Sequence, residues 1–253
     1  MSASYLRSIP FPGTGKSMHY ELYYWTGIQG RGEYVRLALE DAGADYIDIA
    51  RKHGDKAIMP FLRGRQDGAL PFAPPFLKAG RLVIAQTATI LAYLSPRLGL
   101  VPGGQSAEIY AQQLQLTIAD FVVEIHDTHH PIAVDLYYEQ QRAAARKRSQ
   151  AFREERLPKF LGYFEQVLER GNGRQALSRH SYVDLSLFQL ISGLDYAFPN
   201  AMRGMQKRIP RLRALSERIA ERPNIAAYLA SPRRIPFNED GIFRHYAELD
   251  PAR

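Results

Sequence analysis

The sequence predicts an α+β chain in which a small sheet-containing domain precedes an all-helical one. Three observations predict it. Short aromatic and apolar runs of strand character are confined to the part before Gln86. From Ser106 onward apolar residues recur at helical spacing, and glycine and proline punctuate the first part where strands and helices would join. The boundaries read as an arm over residues 1–18, a mixed domain over 19–98 and a helical domain over 105–253.

Tyr20 to Trp25 is an aromatic-rich segment of high strand propensity. Gly27 and Gly30 interrupt it, and Glu33 to Ala42 then reads as a helix with Val35, Leu37, Ala38 and Leu39 apolar and Gly43 as its stop. Tyr46 to Ala50 is a second short strand. Arg51 to Leu70 is polar and broken by Gly54, Gly64 and Gly68, which suits a weak helix inside a long loop. Phe76–Leu77 and Leu82–Ile84 flank Lys78-Ala79-Gly80-Arg81, a hairpin with glycine in its turn. Gln86 to Leu94 has helical periodicity and is expected to stop at Ser95-Pro96, because proline lacks the next helical donor. Beyond it, Ile109, Leu114, Ile118 and Phe121, and later Phe160, Phe164 and Leu168, keep helical spacing. Ser181 with Asp184 forms a capping box in its aspartate form, and Pro210 and Pro223 stand where two further helices begin.

Composition excludes several kinds of chemistry. With 253 residues, 45% of them hydrophobic, the chain has material for one large core or two smaller ones. Mean hydropathy is −0.31, and no apolar run approaches the roughly 20 residues of a membrane helix, so no membrane partner is expected. The first residues lack the apolar centre of a secretion signal and read as a flexible arm. Cysteine is absent, which removes disulfides, thiolate metal sites and a cysteine nucleophile together, and agrees with a cytoplasmic setting. The net charge of +7 is concentrated in Arg142, Arg146, Lys147, Arg148, Arg153 and Arg156. These alternate with Ala, Gln and Glu at helical spacing without interleaved aromatics, a solvated helix face rather than a nucleic-acid surface.

Three motifs carry the chemistry. They are YYWTGIQGRGEYVRLALEDAG (23–43), APPFLKAGRLVIAQTATILAYL (73–94), and the pair SYVDLSLFQL (181–190) with RPNIAAYLASP (222–232). In this order they resemble the cytosolic glutathione S-transferases, most closely the tyrosine-type pi, mu and sigma group. The resemblance spans roughly Tyr20 to Pro232. It implies a thioredoxin-like amino-terminal domain with a four-stranded mixed sheet, then an all-helical domain. It also implies glutathione as co-substrate, a small hydrophobic electrophile as second substrate, and a homodimer.

Carried onto this chain, the resemblance implies Tyr24 as the residue that stabilises the glutathione thiolate. Aligning Gly30-Arg31 without a gap would place Trp25 there; one extra residue near Gly27 restores Tyr24 and leaves Trp25 beside it. A free thiol of pKa about 8.5 is only about 3% thiolate at pH 7. Lowering that pKa by ~2 units needs ~2.7 kcal/mol, within reach of one charge-assisted hydrogen bond. Tyr23 is expected on the opposite face of the strand. Arg31 and Lys56 are expected at glutathione, with Arg51 and Lys52 as further candidates for its glycyl carboxylate. Pro75 matches the family's cis-proline, and the residue before it, Pro74, has a carbonyl to offer but no N–H. Gln86 and Thr87 match the Gln-Ser pair that holds the γ-glutamyl carboxylate at a helix amino terminus. Asp120 matches an aspartate directed at the neighbouring subunit's site.

Two further patterns compete with this reading. PGTGKS (12–17) resembles a phosphate loop but has Pro10 where its first glycine belongs. His126, His129 and His130 fall at i, i+3 and i+4 with Asp127 adjacent, a spacing that would serve a metal if the rings converged. The resemblance places the same segment at the electrophile pocket, lined by His126, His130 and Tyr137, with no metal. A glutathione-dependent isomerase or a non-catalytic glutathione or ligand binder would share these residues.

Overall fold

The computed structural model describes residues 18–252; the predicted arm and the PGTGKS pattern fall almost wholly outside them. Four strands form one mixed sheet in the order β2–β1–β3–β4. They are β1 (Tyr20–Tyr23), β2 (Tyr46–Asp48), β3 (Phe76–Ala79) and β4 (Leu82–Ala85). β2 runs parallel to β1 because helix α1 (Gly32–Asp41) crosses over between them. β3 and β4 are an antiparallel hairpin that turns at Gly80, whose φ of +62° suits glycine.

The strands are shorter than the aromatic runs suggest. Tyr24 and Trp25 lie beyond β1, and Ile49 and Ala50 turn into α2 (Ile49–His53) instead of extending β2. A short 3₁₀ turn (Asp55–Ala57) and α3 (Met59–Leu62) follow. Strand alternation then sorts the side chains. Tyr20, Leu22, Leu77 and Ala79 pack on Val35 and Leu39 of α1 and on Ile90 and Leu94 of α4 (Thr87–Leu98). Tyr23 faces the other way, stacked on Phe76 at 4.5 Å and covered by Ile58 and Phe61.

Helix α4 does not stop at Ser95-Pro96 but continues to Leu98 and ends on Gly99 in the left-handed region. The carbonyl that Pro96 cannot reach is that of Ala92, and the Ser95 hydroxyl donates to it at 3.2 Å. The proline is thereby absorbed. The helical part continues with α5 (Gln105–His126), α6 (Tyr138–Ala151) and α7 (Leu157–Arg170), the last two joined through a π-helical segment at Phe152–Arg156. Helix α8 (Tyr182–Ala197) runs through the middle, packed by α1, α5 and α10 (Pro210–Ala220). α9 (Pro199–Met205) and α11 (Pro223–Leu229) complete it. The Ser181–Asp184 capping box forms as predicted, Asp184 accepting from the Ser181 N–H at 2.8 Å. Four of the six residues in the basic run of α6 and the π-helical segment are paired: Arg142 and Arg146 meet Glu248, and Arg148 and Arg156 meet Glu124.

The two halves share one core. Tyr34, Leu37 and Ala38 on α1 and Leu91 on α4 join the cluster built by α5, α7, α8 and α10. At the edge of that core lies a buried ion network. Arg36 is 1% exposed and donates to Asp48 at 2.7 Å and to Glu33 at 3.2 Å. Glu33, itself fully buried, also accepts from the Tyr228 hydroxyl at 2.8 Å and from Arg234.

After α11 the chain runs back over the molecule as a mostly irregular strap. His129, 1% exposed, binds it through Nε2 to the Ile242 carbonyl at 2.8 Å. That bond makes Nε2 the protonated nitrogen, so Nδ1 accepts from His130 Nδ1. Burial first, and then the nearby Arg244 charge, push the His129 pKa down to about 2, against the Ile242 carbonyl, which raises it. Its folded pKa is thus depressed, so below pH ~6.5 the unfolded chain takes up a proton that the folded chain refuses.

Two predictions follow from burial of these groups. Arg36→Met should lower stability in urea by about 3–5 kcal/mol, since Asp48 loses its cation and buried Glu33 loses one of two; the double variant with Asp48→Asn should recover part of it. Taking the pH from ~6.5 to ~5 should cost roughly 2 kcal/mol through His129. His129→Gln, which keeps the donor to Ile242, should remove that share of the pH dependence in urea unfolding at the two pH values, leaving the share of His126 and His130.

Candidate active site

The site follows from strand register. Tyr23 pairs with Phe76, and Phe76 with Ala85. One step further along the same diagonal, Tyr24, Pro75 and Gln86 come into a row across three strands, at the end of the sheet where α1 and α4 both begin. The positive dipole ends of two helices therefore lie at one place, although at α1 the Arg31 and Glu33 N–H groups are already taken by Tyr24 and the Gln29 carbonyl. The Thr87 hydroxyl ties them, donating to the Arg31 carbonyl at 3.4 Å.

Tyr24 lies on the α1 side of the sheet, 4% exposed. Its ring rests on a shelf of Gly30 and Gly32. A Cβ on Gly32 would stand 2.5 Å from the ring, and one on Gly30 2.0 Å from the hydroxyl oxygen. Glycine is required at both, and Gly30 also has φ +47°. The Arg31 N–H donates to the Tyr24 oxygen at 2.9 Å, so the phenolic proton is left to point elsewhere. Burial raises the Tyr24 pKa; the Arg31 and Gly32 N–H groups and the Arg31 and Arg36 charges pull it back, with a net rise. At neutral pH the group is a protonated donor held by backbone.

Other predicted residues fall around this row to different degrees. The Pro74–Pro75 peptide is cis. Gln86 caps α4 with φ +69°, a left-handed position unusual for a non-glycine residue and of the kind found at binding sites. Thr87 opens α4 and is half-buried. Trp25 is half-buried against the Tyr23–Phe61–Phe76 cluster. Lys56 is exposed on the 3₁₀ turn, whose Asp55 accepts from the Thr26 N–H at 3.0 Å. Lys52 is exposed too, whereas Arg51 is occupied by the strap, donating to the Pro232 and Arg233 carbonyls. Asp120 is exposed on α5.

At the far end of α5, His126 and His130 are stacked with centroids 5.2 Å apart. Burial, then charges that include Arg244 for both and Arg31 for His126, lower both pKa values, that of His130 to about 4. Both rings are neutral at pH 7. Among the described residues, no group of three or more metal-binding side chains is arranged to hold an ion. Tyr137 caps α6 and is 76% exposed. The loop before it is held by Gln141, 2% exposed, which accepts from Ile132 N at 2.9 Å and donates to the Ala133 and Leu136 carbonyls at 3.1 and 3.0 Å.

Sequence reasoning passed over Gln29, 5% exposed beside the Gly30 shelf, because an isolated glutamine carries no spacing signal; the tail beyond Pro232 was expected at the electrophile pocket, without its bond to Gln29. The adjacency of Gln29 to two turn glycines was the available hint.

Comparison with known proteins agrees with the two-part fold. The family model for the glutathione S-transferase C-terminal domain matches residues 126–232. A glutathione S-transferase P of Caenorhabditis elegans is 30% identical over 223 residues, covering 85% of this chain and 95% of its own. A glutathione S-transferase of Plasmodium yoelii yoelii is 27% identical over 205 residues, covering 80% of this chain and 90% of its own. The solved pi-class glutathione S-transferase of Onchocerca volvulus shares the fold, with a TM-score of 0.67 at 23% identity over 88% of this chain and 98% of that one. A relative at this identity, aligned along nearly its whole length, together with the shared two-part fold, shows that the chain belongs to the glutathione S-transferase family.

Proposed function

We propose that the protein conjugates glutathione to small hydrophobic electrophiles, with Tyr24 as the thiolate-stabilising donor. The observation that carries this reading is the Tyr24 oxygen accepting the Arg31 N–H on a two-glycine shelf. With its acceptor side engaged by backbone and its proton retained by burial, the hydroxyl is oriented to donate to a sulfur anion. The thiol proton leaves to solvent, the thiolate attacks an electrophilic carbon, a C–S bond forms, and a leaving group departs with the displaced electron pair. Tyr24 keeps its own proton throughout.

The tripeptide would lie along the row of strand ends. Its γ-glutamyl carboxylate would face the start of α4 at Gln86 and Thr87, and its cysteinyl N–H would meet the Pro74 carbonyl. Arg31, Lys56 and Trp25 would flank it. Pro74 offers no donor in return, so one backbone hydrogen bond of a two-bond pairing is missing. The electrophile would enter between His126, His130 and the Tyr137 loop. Reduced glutathione is the reductant pool of the cytoplasm, which is where this activity would operate.

A homodimer is part of the same reading. Ile109, Leu116 and Val123 recur every seven residues along α5 and are 61, 50 and 47% exposed, an apolar stripe that a second copy would cover. Asp120 lies on the same exposed side of the helix and would be carried towards the partner's site.

Tyr24→Phe should lower kcat/KM for a chromogenic aryl halide by roughly 10- to 100-fold, the loss of one to two pKa units of thiolate stabilisation. Calorimetry should find glutathione affinity little changed; unaltered turnover would exclude Tyr24. Leu116→Glu should shift the sedimenting species from about twice 28.7 kDa to that single mass.

A further inference from the structure

The turn that carries Tyr24 is held from outside its own domain. Gln29 is the centre of that attachment. Its amide oxygen accepts from Gln189 Nε2 on α8 at 2.7 Å, and its amide nitrogen donates to the Ile235 carbonyl of the strap. Its backbone carbonyl accepts from Glu33 N at 3.0 Å and from Arg36 Nη1 at 3.3 Å. The strap is fixed in turn: Arg234 donates to Gln189 at 3.0 Å and to Glu33, and Asn238 Nδ2 donates to the Gly27 carbonyl at 2.8 Å. Further on, Phe243 is seated where a Cβ on Gly193 of α8 would come within 2.5 Å of its ring. Pro236, Phe237, Asn238, Ile242 and Phe243 close against Gln29 and Gly30, leaving only a ~10 Å³ void.

The next two residues after Gln29 are the shelf and the donor. Gly30 touches the Tyr24 hydroxyl, and Arg31 gives it the backbone hydrogen bond. Rotation of the 29–30 peptide would move both at once. Hydrogen bonds weaken steeply with misalignment, and a catalytic donor has to be held to about 0.5 Å. We propose that Gln29 is a positioning residue for the transferase reaction, through which α8 and the carboxyl-terminal strap set the aim of the Tyr24 hydroxyl at the thiolate. The proposal rests on the reading of Tyr24 as the thiolate donor. It makes residues 233–243 a working part of the active site, acting through the Gln29 turn.

The test uses the full-length protein and three variants. Gln29→Met keeps the volume and removes both side-chain bonds. Gln189→Met removes the α8 anchor together with the Arg234 bond that fixes the strap to α8. Asn238→Ala removes the exposed bond to Gly27 and the acceptor for the Asp240 and Gly241 N–H groups. The pKa of bound glutathione is read from its ultraviolet thiolate band and from the pH profile of kcat/KM. Gln29→Met should raise the thiol pKa by about one unit, a loss of about tenfold in kcat/KM at pH ~6 that higher pH restores. Gln189→Met and Asn238→Ala should show smaller shifts in the same direction. Glutathione affinity should stay within about twofold, because the expected tripeptide contacts at Pro74, Gln86 and Thr87 are untouched. A purely structural role would lower the melting temperature and the active fraction and leave the thiol pKa where it was, and that result in folded Gln29→Met overturns the proposal. If Gln29→Met does not fold, the exposed Asn238→Ala decides: a shifted pH profile supports the proposal and a wild-type profile overturns it. A thiolate band that Tyr24→Phe leaves unchanged removes the underlying reading, and the proposal with it.

Discussion

The buried guanidinium of Arg36 ties together elements that strand pairing alone would leave loosely related. It reaches Asp48 at the end of β2, Glu33 one turn earlier on α1, and the Gln29 carbonyl in the turn before the helix. A planar fork with five donors can serve three partners in different directions, which a lysine ammonium would do poorly. The same Glu33 accepts from Tyr228 and Arg234 of the carboxyl-terminal part. The ion network thus fixes α1 against the sheet on one side and against the end of the chain on the other. Burying such charges is costly unless each is paired, so the arrangement tolerates little sliding of one half against the other.

The position of the active site is a consequence of that fixed frame. Antiparallel register brings Tyr24, Pro75 and Gln86 into a row, and two helices start beside it. Neither helix start is remarkable in isolation; their convergence makes the region attractive to an anion. The Gly30–Gly32 shelf lets the Tyr24 ring approach the backbone closely enough for Arg31 N to reach its oxygen. In the proposed reading Pro74 would offer the ligand no backbone donor, while the network around Tyr24 would act on the sulfur and not on the tripeptide backbone. Thiolate chemistry and peptide affinity would then be separable properties of this site.

The second half of the site is built by a different principle. His126, His129 and His130 cluster where α5 ends; His126 lies against Asp127, and His129 holds the Ile242 carbonyl and is met by His130. Its neighbours are kept neutral by burial and by the positive charge of Arg244. A neutral imidazole can donate or accept, which would suit the proposed electrophile pocket better than a fixed charge. Gln141 gives the adjoining loop a rigid backbone while its tip stays exposed.

Much of this was legible in the sequence because it depends on neighbours in the chain. The strand aromatics, the Gly80 hairpin, the Ser181 capping box and the proline helix starts all act within a few residues, and each appears where the sequence places it. The motif around Tyr24 was legible too, although its register rested on one extra residue near Gly27. Local signals misjudged the ends: β1 stops before Tyr24, β2 gives way to α2, and α4 passes through Pro96 because Ser95 satisfies the carbonyl the proline abandons. What only the tertiary structure decided are the long-range bonds. Gln29 to Ile235, Asn238 to Gly27 and Arg51 to the Pro232 and Arg233 carbonyls join residues more than 180 positions apart. A single polar side chain has no periodicity, and its partner is chosen by where the folded backbone leaves an unpaired group. The sequence by itself therefore determined which family the chain belongs to, and the fold decided how the Tyr24 hydroxyl is held by the Arg31 N–H and the two-glycine shelf.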